Sequence, residues 1–263
     1  MKHIALSLIS LLIAITATAQ STPTTPPSTD GNNRHFYSDI EGYGRVGYSI
    51  GGNAPLPMPA TIRSLNSYTL QPNVSFGVDA FKPIHGKWGA MVGIHFENKG
   101  MHIDADVKNY HMEIVKGGEK LSGVFTGKNN STATQWMFTA PIQAVCCLRP
   151  NLKLKLGPYF SYLTQGKFEG YAYDGYLRVN DPTGERIDMG HDEGERGDYE
   201  FNDDMRKFQM GIDLGVDWYF SRRVGVYADL PWGLTGTFKS SFNTIEQTLY
   251  PIYGTIGLTY KIR

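Results

Sequence analysis

Apolar and polar residues alternate along the chain from Leu249 to Ile262. Tyr250, Ile252, Gly254, Ile256, Leu258, Tyr260 and Ile262 hold the even positions, and Tyr253, Thr255, Gly257, Thr259 and Lys261 hold odd ones. Successive side chains of a strand point to opposite faces, so this is a strand with one apolar face, long enough to cross a bilayer when tilted. The pattern recurs in seven further segments, 40–50, 68–81, 87–99, 135–148, 152–164, 207–220 and 224–238. In all eight the even positions are free of charge, while the odd ones carry Glu41, Arg45, Asp79, His95, Glu97, Lys153, Lys155, Asp213, Asp217, Asp229 and Lys261. The connections alternate too: 82–86, 149–151 and 221–223 are short, whereas 51–67, 100–134, 165–206 and 239–248 are long. Short turns on one rim and long loops on the other are the habit of bacterial outer-membrane barrels, with the short side periplasmic.

Alternation alone fits a soluble barrel as well as a membrane one, and side-chain volume separates the two. All four tryptophans, Trp88, Trp136, Trp218 and Trp232, fall on the apolar face, among many Leu, Ile, Val and Phe. An eight-stranded barrel has an interior that side chains just fill, so these groups fit only outside. The charged face is rich in glycine, which suits a crowded interior. Aromatics gather near the strand ends: Trp88, Trp218 and Phe220 beside short turns, and Tyr68, Trp136, Phe138 and Tyr162 toward the long loops. They read as two interfacial girdles. The predicted fold is all-β, an eight-stranded antiparallel up-and-down transmembrane β-barrel. Closure leaves no unpaired backbone edge in lipid.

Composition adds export and removes several function classes. Met1-Lys2-His3, the apolar run to Ala14 and Ala17-Thr18-Ala19 read as a signal peptide over residues 1–19. Residues 20–35 are Pro/Thr-rich and almost devoid of apolar groups, a flexible leader, and the barrel domain spans 36–263. The formal net charge is zero and no basic block occurs, which argues against nucleic acid. Cys146 and Cys147 are adjacent, so as strand neighbours they point to opposite faces and read as free thiols.

Three groups of residues carry possible chemistry. The first is the lumen set: acidic Glu41, Asp79, Glu97, Asp213, Asp217 and Asp229 opposite basic Arg45, Lys153, Lys155 and Lys261. Confined in a narrow barrel they are expected to pair and plug it, because an unpaired buried charge is expensive. A narrow ion or proton path, with Asp213 and Asp217 sharing a proton or cation, is the rival. The second is the acidic stretch from Asp181 to Asp204, expected as a solvated loop, with Ca²⁺ conceivable but no EF-hand or RTX spacing. The third is His102, His111 and His191 in the long loops, which form no telling Ser/His/acid pattern. No catalytic residue, cofactor or metal site is assigned.

Three stretches, FENKG (Phe96–Gly100), Ala140–Leu163 and Met210–Leu234, together with the closing Tyr253–Arg263, resemble the Bacteroidetes outer-membrane β-barrel family that includes the PorT-like proteins. The resemblance implies a small barrel, with some relatives in type IX secretion, and supplies no catalytic residues. The expected function is surface interaction or envelope structure through the outer loops of a monomeric barrel, in contact with outer-membrane lipid, lipopolysaccharide and envelope proteins. The alternatives are an accessory part of a secretion machine, a narrow channel, or a lipid-modifying enzyme.

Overall fold

The computed structural model describes residues 39–242, 244, 245 and 247–262. The expected signal peptide and leader lie outside the described residues. Among the described residues there are eleven strands: β1 (Glu41–Pro55), β2 (Ile62–Thr69), β3 (Val74–His85), β4 (Trp88–Lys116), β5 (Glu119–Arg149), β6 (Leu152–Val179), β7 (Arg186–Met189), β8 (Gly197–Glu200), β9 (Phe208–Tyr219), β10 (Val224–Gly233) and β11 (Leu249–Lys261). Eight of them close a ring in which every pair is antiparallel: β1, β3, β4, β5, β6, β9, β10, β11 and back to β1. This is the eight-stranded barrel expected from the alternation. The face assignment follows the same rule: Ile256, Leu258 and Trp218 are exposed, while Asp213, Asp217, Lys153 and Lys155 are buried.

The expected strand 68–81 is two elements. Ile62–Thr69 pairs with β4 outside the ring, and the ring strand begins only at Val74. The break is chemical. Pro72 has no N–H to give a ladder. The neighbouring Asn73 takes over with its side chain, its Oδ1 accepting from Gly100 N at 2.7 Å and its Nδ2 donating to Gly100 O at 2.8 Å.

The larger correction concerns 100–134 and 165–206, expected as loops. Strands β4, β5 and β6 run for 29, 31 and 28 residues, about three times the ~10 residues a tilted strand needs to cross a bilayer. Only Gly117-Gly118 joins β4 to β5, both in the left-handed region at φ 61° and 85°, as a tight two-residue hairpin turn requires. Beyond the ring these strands form an arm. β8 pairs with β6 at Tyr171 and with β4 at Val115, so β4, β5, β6 and β8 close a second, narrower ring. Ile114, Phe125, Ala172, Leu177 and Tyr199 are buried there in one cluster that also takes in Met101, Met137, Leu163 and Phe168.

Bulges hid this arm from a period-two reading. In β4 a register shift between Val107 and Tyr110 moves the buried positions from Met101, Ala105 and Val107 to Tyr110, Met112 and Ile114. In β6 a shift near Gln165 moves them from Leu163 to Phe168 and Ala172. One extra residue swaps the faces, and fixed odd–even parity is lost.

Candidate functional site

The barrel interior is built in layers, each set by inward positions that rise together along the ring. At the short-turn rim, Glu41 Oε1 accepts from Lys261 Nζ at 2.5 Å, and Oε2 from Lys153 Nζ at 3.3 Å and from the Tyr43 hydroxyl. Lys153 also donates to Tyr43 Oη at 2.6 Å and lies 4.0 Å from the centre of the Phe81 ring, so it is held by a cation–π contact as well as by charge. Glu41 and Lys261 remain about one-third exposed.

The next layer is almost wholly buried. Arg45 is the hub: its guanidinium meets Asp79, Asp217 at 2.7 Å and Asp229 at 3.4 Å. Lys155 Nζ bridges Asp217 at 2.8 Å and Asp229 at 2.7 Å, with its own side chain 1% exposed. His95 Nε2 lies 2.8 Å from Asp79 Oδ1. Close approach here depends on small neighbours: a methyl group added at Gly215 would strike Asp229 Oδ1 and Lys155 Cε, and one at Gly93 would strike Asp79.

Above it, Glu97 is paired with Lys99 at 2.8 Å and accepts from Thr139 Oγ1 at 2.7 Å, and Thr139 in turn bonds Ser161 at 2.8 Å. Asp213 belongs here and not with Asp217: its Oδ2 accepts from Gln143 at 2.8 Å. The two aspartates therefore have separate partners, Gln143 for Asp213 and Arg45 and Lys155 for Asp217. Asp213, Glu97 and Lys99 border a cavity of about 20 Å³, room for one water. His95 and Lys99 complete the lumen set, yet neither stood out in the sequence beyond lying on the polar face.

Above this layer the polarity ends in an amide relay, Gln209 to Gln135 to Asn53, with Thr237 beside it. The apolar cluster that contains Met101, Met137 and Leu163 then follows. Ion pairs along the lumen and an apolar cluster beyond it are expected to interrupt any water column. Purified protein in planar bilayers is expected to show no steady conductance. Sustained ion-selective openings would contradict the sealed lumen.

On the outer surface, Trp88, Trp218 and Phe220 are exposed near the short-turn rim, with Trp218 and Phe220 in ring contact at 6.2 Å. Toward the arm, Phe96 stacks on Trp136 at 5.2 Å and tilts against Phe138 at 5.0 Å, and Tyr162 is exposed beside Phe208 on the neighbouring strand. Tyr68 is placed elsewhere. It lies on β2, packs against the buried cluster, and its Oη donates to Gly51 O at 2.8 Å. An inward aromatic that anchors β2 to β1 is no part of a lipid-facing belt.

The remaining candidates do not converge. His102 bonds Thr132, His111 reaches the Thr244 carbonyl and His191 faces Asp174, each apart from the others. In the acidic stretch, Arg186 pairs with Asp188 at 2.7 Å and Arg196 with Asp198 at 2.8 Å. Among the described residues no group of three or more His, Cys, Asp or Glu is placed to hold a metal ion. Cys146 and Cys147 are free and half-buried.

Solved barrels align with this chain at low identity. Ail, the attachment invasion locus protein of Yersinia pestis, matches at 10% identity over 85% of this chain and 99% of its own, with a TM-score of 0.37. Neisserial surface protein A matches at 11% over 86% and 98%, with a TM-score of 0.33. No curated protein matches the chain. The model of the outer membrane protein β-barrel domain matches residues 19–239. With the closed ring and its apolar outer surface, that match places the chain in the outer membrane protein β-barrel domain family.

Proposed function

We propose that this protein is exported by a cleaved signal peptide, inserts as a monomeric barrel in the outer membrane, and acts through its arm in surface interaction or envelope structure. One observation carries the reading: three adjacent strands continue far beyond the membrane ring and bury an apolar cluster between them that continues down to the barrel. The ion pairs and amides that fill the lumen do not need strands of this length, and loops that merely connect strands need no apolar cluster. A rigid platform for a partner, whether lipopolysaccharide or an envelope protein, needs both. The short turns, the start of β1 and the end of β11 would then face the periplasm, and the arm the outside.

The test is an arm-less barrel in which residues 101–133 and 166–205 are replaced by short turns. It should still insert and keep the gel shift of a folded barrel, while losing partners captured by the full chain from native membranes. An arm-less barrel that retains every partner would refute the reading. On intact cells, added protease is expected to cut at the exposed turns near 181–184 and 191–196, and to spare the paired strands. Surface labelling of a tag at 149–151 would invert the topology.

Within the family, we infer kinship with the PorT-like barrels of Bacteroidetes from the strand-patterned stretches Phe96–Gly100, Ala140–Leu163 and Met210–Leu234. Capture of stoichiometric type IX secretion components on the arm would make this protein an accessory of that machine.

A further inference from the structure

The three short turns of the barrel are basic throughout. Lys82–Lys87, Arg149–Asn151 and Ser221–Arg223 hold Lys82, Lys87, Arg149, Arg222 and Arg223, with no Asp or Glu. The acidic stretch Asp181–Asp204, by contrast, sets ten carboxylates against Arg186 and Arg196. Counting Asp39 and Glu41 at the start of β1 and Lys261 at the end of β11, the short-turn rim keeps an excess of positive charge. Lys87, Arg149, Arg222 and Arg223 are exposed. Their turns join β3 to β4, β5 to β6 and β9 to β10, so they are spread around the rim at every second strand gap.

These cations stand beside side chains that face lipid. Lys87 precedes Trp88, Arg149 follows Leu148, and Arg222 lies two positions after Phe220, and all three neighbours are exposed. One or two residues of extended chain span ~3–7 Å, which keeps the cations near the aromatic belt, at head-group level. Arg223 is placed by a bond. Its Nη1 donates to Tyr260 Oη at 3.4 Å, and Tyr260 is an exposed residue of β11 on the lipid-facing parity of Ile256 and Leu258. Inside the mouth, Lys153 and Lys261 both bond Glu41, so the exposed cations form a separate set.

We propose that this rim is a collar for anionic phospholipid, its exposed cations taking the head-group phosphates of the leaflet beside the short turns. Three of the four are arginines, whose fork of N–H donors matches two oxygens of one phosphate. A net negative head group is preferred to a zwitterionic one, because the turns offer no carboxylate to an ammonium group. Arg223, bonded to a lipid-facing phenol, favours lipid over a soluble acidic partner below the mouth. That the leaflet is the periplasmic one rests on the topology proposed above.

The experiment uses the full chain in phosphatidylcholine vesicles with a trace of spin-labelled lipid, whose motionally restricted signal reports contact with the barrel wall. Phosphatidylglycerol should be enriched there about two- to fivefold over phosphatidylcholine at low salt, the gain from roughly one cation contact per lipid. Phosphatidylethanolamine should show no enrichment. In 1 M NaCl, where charges are screened beyond ~3 Å, the preference should largely vanish. The quadruple variant Lys87→Gln/Arg149→Gln/Arg222→Gln/Arg223→Gln should fold and lose it at any salt. Equal partition of phosphatidylglycerol and phosphatidylcholine, equal enrichment of phosphatidylethanolamine, or a preference that survives the quadruple variant would each overturn the proposal. Equal partition with retention on peptidoglycan through the same four side chains would make the rim a site for an acidic polymer instead. If the quadruple variant fails to fold, Arg222→Gln/Arg223→Gln and the salt series decide. Symmetric vesicles offer the same lipid to both rims, so the outcome is independent of topology, which the tag at 149–151 tests separately.

Discussion

Asp217→Leu is expected to cost the barrel roughly 3–5 kcal/mol, the range for breaking a buried ion pair by removing one partner. Asp217 is fully buried and holds both Arg45, at 2.7 Å, and Lys155, at 2.8 Å. Leucine would leave those two buried cations with only Asp79 and Asp229 to neutralise them. Because those partners remain, the loss should fall toward the lower end of the range. Lys155→Met removes the other half of the same pair. The double variant Asp217→Leu/Lys155→Met should therefore lose clearly less than the sum of the singles, since each change relieves the charge that the other orphans. Urea unfolding in lipid bilayers measures all three. Strict additivity would mean that the two residues do not act as a pair. At the rim the expectation is different: Glu41 and Lys261 are each about one-third exposed, so Lys261→Met should cost no more than ~1 kcal/mol.

The ring and its faces were legible because lipid imposes one rule on every outward position. Ile212, Leu214, Ile256 and Leu258 could be assigned outward from parity alone, and their exposure agrees. The split at Pro72-Asn73 was not legible, because Leu70, Val74 and Phe76 keep apolar parity across it. Nor was the arm. There the apolar face is shared between two strand stretches of opposite parity, as with Val107 and Tyr110, and nothing local to the sequence marks the bulge that separates them.

The lumen was legible as a set of charges and not as a set of pairs. Arg45 takes partners from β3, β9 and β10, and only ring closure brings those strands together around it. The amide relay left still less trace. Asn53 falls in a stretch that reads as a loop, whereas Gln135, Gln209 and Thr237 look like ordinary polar strand positions. Their common role depends on bonds between residues 82, 74 and 184 positions apart.

Ile256→Arg tests the outer face as directly as Asp217→Leu tests the inner one. Ile256 is 67% exposed in the middle of β11, flanked in register by Tyr48 and Ala228. It lies between two aromatic levels. Trp218 is joined through Val226 to Leu258 on one side, and Trp232 is paired with Ile252 on the other. A position between the belts sits deep in the hydrocarbon, where arginine on a barrel costs about 2–4 kcal/mol. The neighbouring Thr255 is buried, with its hydroxyl 2.8 Å from Ser49 Oγ, so Thr255→Ser preserves the hydrogen bond and should change stability by less than ~1 kcal/mol. Reversible unfolding in bilayers should thus separate two adjacent residues by severalfold in free energy. In detergent, where the shell around the barrel is thin and deformable, the arginine penalty should shrink while the Thr255 value stays put. A deficit for Ile256→Arg that is the same in both media would place its origin in strand packing and take residue 256 off the lipid-facing surface.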